Sequence, residues 1–163
     1  MGKTMLVERF HQQQHNNQMP NSSLKRVNFN GHTSAQHFQN FVESSCMGGR
    51  QNEDGKRLTL FIDDINLAAS GASAWDGAGS EIAACSPAGE VLRQLMELHI
   101  LHGLDDGVER KVDEPSIAAT MRNAAYTGRG MTLRLKRHFA FFNVVGVSRD
   151  SAALVFDTKL ALY

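Results

Sequence analysis

Cysteine, proline and tryptophan are all scarce in this chain of 163 residues, with two, three and one respectively. Cys46 and Cys85 stand apart, with neither CxxC nor Cys/His ligand spacing, which argues against a disulfide framework or a structural zinc and for a reducing compartment. There is no excess charge: 17 Lys and Arg balance 17 Asp and Glu, so nothing global draws the chain to nucleic acid or to an anionic bilayer. Any basic site must be local. Nor does any apolar run approach the roughly 18 residues that a membrane span needs, and the opening MGKTMLVERF is too short and polar for a secretory signal. The expectation is a cytosolic chain without membrane or nucleic-acid partners. What is present is an ordinary globular mixture, 42% apolar and 21% charged, in a length that suits one domain or a piece of a larger one.

The polar run His11–Ser23 (HQQQHNNQMPNSS) reads as a loop, closed by Pro20. Lys25–Phe29 is short and strand-compatible. Thr33 with Gln36 fits a capping box, and Ala35, Phe38, Phe41 and Val42 then share a helical face that ends at Gly48-Gly49. Out of the charged segment 48–57 rises Leu58-Thr59-Leu60-Phe61-Ile62, a strand-length apolar run with both faces buried, which stops at Asp63-Asp64. Residues 67–87, rich in Ala, Gly and Ser, show no period and read as a flexible insertion. Pro87 and Glu90 open a helix whose stripe of Val91, Leu92, Leu95, Met96 and His99 runs to about Leu101. Ile117–Met121 and Phe141–Val147 are further strand candidates, and a last helix starts after a cap at Ser148. Strands alternating with helices predict an α/β fold with a mostly parallel sheet.

Gly2-Lys3-Thr4 matches the end of the phosphate-binding loop GxxxxGK[ST], where backbone N–H groups cradle phosphates, the lysine meets the β/γ oxygens and the hydroxyl ligates Mg²⁺. The tripeptide alone is weak. It gains weight from Asp63-Asp64, because carboxylates at the C-terminal edge of a parallel strand are where α/β folds hold a nucleotide and its metal. Asp63 then belongs to the metal shell and Asp64 polarises the attacking water. The plain alternative is that the two acids only end a strand, with Asn66 helping to cap the turn. The basic residues Arg129, Arg134, Lys136, Arg137 and His138 read either as a solvated face or as a source of an arginine for a neighbouring site. The histidine pairs His11/His15 and His99/His102 lack a Cys or Glu partner set, so no metalloenzyme site is expected.

Taken together, the strings GKT at 2–4, VNFNGHTSAQHFQNFVES at 27–44, GKRLTLFIDDIN at 55–66, SPAGEVLRQLMELH at 86–99 and LRLKRHFAFF at 133–142 resemble a dynein heavy chain, in particular one AAA+ module of its motor ring, most like the third. The resemblance covers almost the whole chain. It implies a P-loop AAA+ large subdomain, an α/β fold missing its first strand, over 1–147, followed from 148 to 163 by the start of a helical segment. It implies ATP and Mg²⁺ as ligands, with Gly2, Lys3 and Thr4 as the tail of Walker A, and Asp63 and Asp64 as the Walker B pair. Thr4 and Asp63 are then the metal-side residues, Asn123 the sensor I residue and Arg134 the arginine finger, with Arg137 beside it. The resemblance implies a parent that is an ATP hydrolase driving movement along microtubules. It implies as partners the neighbouring modules, the microtubule through other regions, and dynein intermediate and light chains, and as its place the cytoplasm and cytoskeleton, with the axoneme of a cilium or flagellum the expected site.

Three departures qualify the expectation. The strand and glycines that precede GKT are not in the sequence, so weak nucleotide binding or none is expected of this chain alone. Residues 67–89 replace a shorter family segment. Asp64 stands where many AAA+ proteins have Glu, and the shorter reach favours slow hydrolysis or a regulatory site. The alternatives are a non-catalytic interaction module and another AAA+ remodelling ATPase.

Overall fold

A computed structural model describes residues 2–17, 22–46, 57–68, 86–112, 115–123, 130–146 and 148–161. Its centre is a parallel sheet in the order β1 (Ser22–Asn28), β2 (Arg57–Asp63), β5 (Ser116–Ala119). Asn28 pairs with Asp63 and Val27 with Ile62, while Ile62 pairs in turn with Ala119. Side chains alternate across a sheet with period two. Val27, Leu60 and Ile62 therefore share one face, with Ile117 and Ala119, and join the main apolar core. Arg26, Phe61, Asp63 and Ala118 share the other.

The first face is covered by α2 (Ala35–Cys46) and α3 (Pro87–Leu98), which pack on each other. Phe38 and Val42 of α2 and Leu92 and Leu95 of α3 are almost wholly enclosed, and the Phe38 ring meets Phe29 edge-on at 5.2 Å between centroids. A short antiparallel pair, β3 (Ile100–His102) and β4 (Glu109–Lys111), extends α3, and α4 (Leu133–Lys136) packs against α3 through the buried Leu135. The second face meets α1 (Lys3–Asn17), whose Met5, Leu6 and Phe10 stay exposed. The chain ends in α5 (Arg149–Leu160), opened by Ser148, which accepts a hydrogen bond from the Ser151 N–H at 3.2 Å.

The α/β class and the parallel sheet flanked by helices agree with the sequence reading and with a P-loop AAA+ domain. Several local expectations are corrected. Residues 11–17 are helical rather than loop and β1 begins at Ser22, while residues 18–21 of the expected 11–23 loop lie outside the described residues. The glutamines are good helix formers and nothing breaks the helix before that point. Ser34, not Thr33, caps α2, accepting from the His37 N–H at 3.1 Å; Thr33 instead accepts from the Asn30 N–H at 2.9 Å. α3 stops at Leu98 because His99 turns left-handed at φ 53° and the next residues enter β3. The third strand ends at Ala119, since Thr120 turns its hydroxyl to the acidic pair. Residues 141–146 form no strand: none of the described strands pairs with them, and Phe142 and Val145 are largely exposed. The Gly48-Gly49 stop, residues 69–85 of the insertion, Arg129 and Val147 lie outside the described residues. No described helix is long and apolar enough to cross a membrane.

Candidate functional site

β2 delivers Asp63 to the sheet face opposite the core, at the end of the strand, where it is only 6% exposed. An enclosed carboxylate requires partners, and three side chains supply them. Thr4, in the first turn of α1, places its hydroxyl 3.0 Å from Oδ1 and 3.1 Å from Oδ2. Thr120, just past β5, donates to Oδ1. Arg26 of β1 donates to Oδ2 at 2.6 Å, while its other terminal nitrogen reaches Glu8 of α1 at 2.7 Å. The guanidinium also lies 5.8 Å from the centre of the Phe61 ring. Burial pushes the Asp63 carboxyl up, but the hydroxyls of Thr120 and Thr4 and the Arg26 charge outweigh it, and together they hold the group below its usual range.

The α1 end of the cluster follows from its first residues. Gly2 has φ 87°, a conformation glycine reaches without a Cβ penalty, and its carbonyl accepts the Leu6 N–H at 2.9 Å to close the first turn. Lys3 is half-buried in the same turn.

Asp64 leaves the strand in the left-handed region, φ 56° and ψ 47°. Asp and Asn tolerate that region better than most residues. Its N–H donates to the Thr120 hydroxyl at 3.0 Å, and the Ile65 N–H donates to the Thr120 carbonyl at 2.9 Å, so the β2–β5 connection continues through the turn. Arg122 engages Asp64 Oδ2 from Nε at 3.0 Å and from Nη2 at 2.9 Å. The Arg122 backbone is bracketed by Asn66, whose amide accepts its N–H and donates to its carbonyl, both at 3.1 Å. Hydrogen bonding to Asp64 and then its charge push Arg122 above its ordinary value.

The structure thus brings Thr4 and Asp63 into contact and sets Asp64 beside them. Asn123 follows Arg122 and is exposed; the residue that meets Asp64 is Arg122. Arg134 is exposed on α4 and takes no part in the Asp63 cluster, while Arg137 and His138 both bind Glu97 of α3. Arg26, Thr120 and Arg122 escaped the sequence reading. The alternation that puts Arg26, Phe61 and Asp63 on one face becomes visible only with the β1–β2 register, and no local motif marks it.

Residues 1–146 match the family model of the P-loop containing dynein motor region. Over 137 residues the chain is 30% identical to dynein axonemal heavy chain 8 of Mus musculus. It is 29% identical over 137 residues to dynein axonemal heavy chain 8 of Homo sapiens. Each match covers 81% of this chain and 3% of the relative's length.

Proposed function

Because the chain belongs to the family of P-loop containing dynein motor regions, we propose that it is one nucleotide-binding module of an axonemal dynein heavy chain, most like the third of the ring, which binds and slowly hydrolyses ATP to gate the motor cycle. The observation that carries this reading is the contact of the Thr4 hydroxyl with Asp63, which joins the end of the GKT motif to the acid that ends the apolar strand.

The donors suit the ligands. Thr4 and Asp63 offer the hard oxygens that Mg²⁺ takes, and Mg²⁺ keeps several waters and phosphate oxygens in its shell. When bound, the cation neutralises charge on the β- and γ-phosphates. Lys3 binds phosphate oxygens from the first turn of α1. With Arg122 on Oδ2, Asp64 uses Oδ1 to orient the attacking water and accept its proton. Asn123 supports that water, and Arg134 serves the site of a neighbouring module. Other parts of the parent would supply the microtubule contact and the intermediate and light chains, residues 1–147 would form the partial nucleotide subdomain, and α5 would begin the helical segment that follows. The axoneme of a cilium or flagellum is the corresponding place.

The test is an ATP-dependent thermal shift of the full chain and of a longer segment that carries the preceding strand. The longer segment should be stabilised by Mg·ATP, Lys3→Ala should abolish the shift, and Asp64→Asn should keep the shift but lose turnover. A shift indifferent to Lys3→Ala would sink the reading. The arginines already seated on both aspartates favour a second reading, a non-catalytic module, for which neither protein responds to ATP.

A further inference from the structure

Arg26 stands at the one carboxylate to which the reading above assigns a cation. We propose that Arg26 is an internal counter-cation that competes with a divalent metal for Asp63, so that metal entry swings the guanidinium off Asp63 and loosens the bridge it makes to α1. The inference rests on that assignment of the metal and adds its regulation.

The geometry gives the reason. Arg26 Nη2 is 2.6 Å from Asp63 Oδ2, the oxygen that also lies 3.1 Å from the Thr4 hydroxyl. A Mg²⁺ held by those oxygens would lie within a few ångströms of the guanidinium, and like charges that close repel. Both cations cannot keep the same lone pair. The exchange is feasible because the two partners differ in burial: the Arg26 side chain is 43% exposed and can move into water, whereas that of Asp63 is 8% exposed and cannot. Arg26 also retains a second anion when it moves, since Nη1 holds Glu8 at 2.7 Å and that carboxylate is itself 37% exposed. Glu8 is on α1, four residues after Thr4. Arg26 therefore ties the helix that carries Lys3 and Thr4 to the strand that carries Asp63, and the metal competes with that tie.

The experiment uses the full chain and Mn²⁺ alone, with free Mn²⁺ counted by electron paramagnetic resonance. Removing one like charge within about 4–6 Å of a site changes its affinity for a cation by about tenfold. Arg26→Gln should therefore bind Mn²⁺ about tenfold more tightly than the wild type, and adding Asp63→Asn should erase the gain. Glu8→Gln should act in the opposite direction, because an arginine released from Glu8 concentrates on Asp63, and it keeps the test decisive if Arg26→Gln folds poorly. Equal or weaker Mn²⁺ binding by Arg26→Gln, or a gain that survives Asp63→Asn, overturns the proposal. Because no nucleotide is used, Arg26-dependent Mn²⁺ binding by the full chain, with no ATP-dependent shift even in the longer segment, would sink the ATP reading and spare this one. The reverse result would do the opposite.

Discussion

At Thr120 one hydroxyl serves both acids: it donates to Asp63 Oδ1 and accepts the Asp64 N–H at 3.0 Å. Its side chain is enclosed, at 5% exposure, so water cannot replace either bond. Thr120→Val keeps the shape and removes both partners. Leaving a buried polar group unpaired costs about 1–3 kcal/mol, so the variant should lose about that much in chemical denaturation, and Thr120→Ser should recover most of it. A Val variant as stable as the wild type would show that the hydroxyl is idle. The residue scale is also where sequence reading was weakest. Asp63, Asp64 and Thr4 announce themselves through short motifs, but Arg26, Thr120 and Arg122 belong to the site only through pairing of strands 35 and 57 positions apart in the chain, as in Arg26 with Phe61 and Ile62 with Ala119.

Among the elements, α3 was legible almost in full because its signals are local and mutually consistent. Ser86 accepts from the Gly89 N–H at 2.9 Å, Pro87 opens the first turn, and the apolar stripe faces the core. Substituting a cap of this kind by Ala costs typically about 1 kcal/mol. Ser86→Ala should lower the denaturation midpoint by a corresponding amount and Ser86→Asp should largely preserve it; no loss in the Ala variant would mean that packing against α2 alone fixes where the helix starts. β2 and β5 were likewise legible from their apolar runs, and β1 in part from the strand-compatible Lys25–Phe29, although it begins earlier, at Ser22. The hairpin of β3 and β4 was not: each strand is three residues long, with only Leu101 enclosed, and the Asp106 side chain accepts the Val108 N–H at 3.0 Å to shape its turn. α1 was misread for the opposite reason. Its polar surface suggested loop, but α1 is held by Thr4 to Asp63 and Glu8 to Arg26 while its large apolar side chains remain in solvent.

For the whole molecule, two anionic hubs fasten outer helices to the central layer. Asp63 and Arg26 bind α1 to the sheet, and Glu97 binds α3 to α4 through Arg137 and His138. Hydrogen bonding from Arg137 is the strongest influence on Glu97; burial opposes it, His138 and Arg93 add to it, and the carboxyl lies below its ordinary value. Asp63 is also held low in the folded protein. A group whose folded pKa is depressed adds stability above its unfolded value, about 3.9 for Asp and 4.3 for Glu, and that stability disappears as the pH falls through the folded value. Stability should therefore be nearly flat above about pH 5 and fall steadily below about pH 4. Asp63→Asn and Glu97→Gln cannot titrate at these positions, so each should begin less stable at neutral pH but decline less steeply in acid. The hubs share no partner, so their effects on the slope should add. Denaturant midpoints measured at a series of pH values supply the check: curves for both variants that run parallel to the wild type through the acid range would remove the hubs from the pH response and assign the acid limb to general charge repulsion.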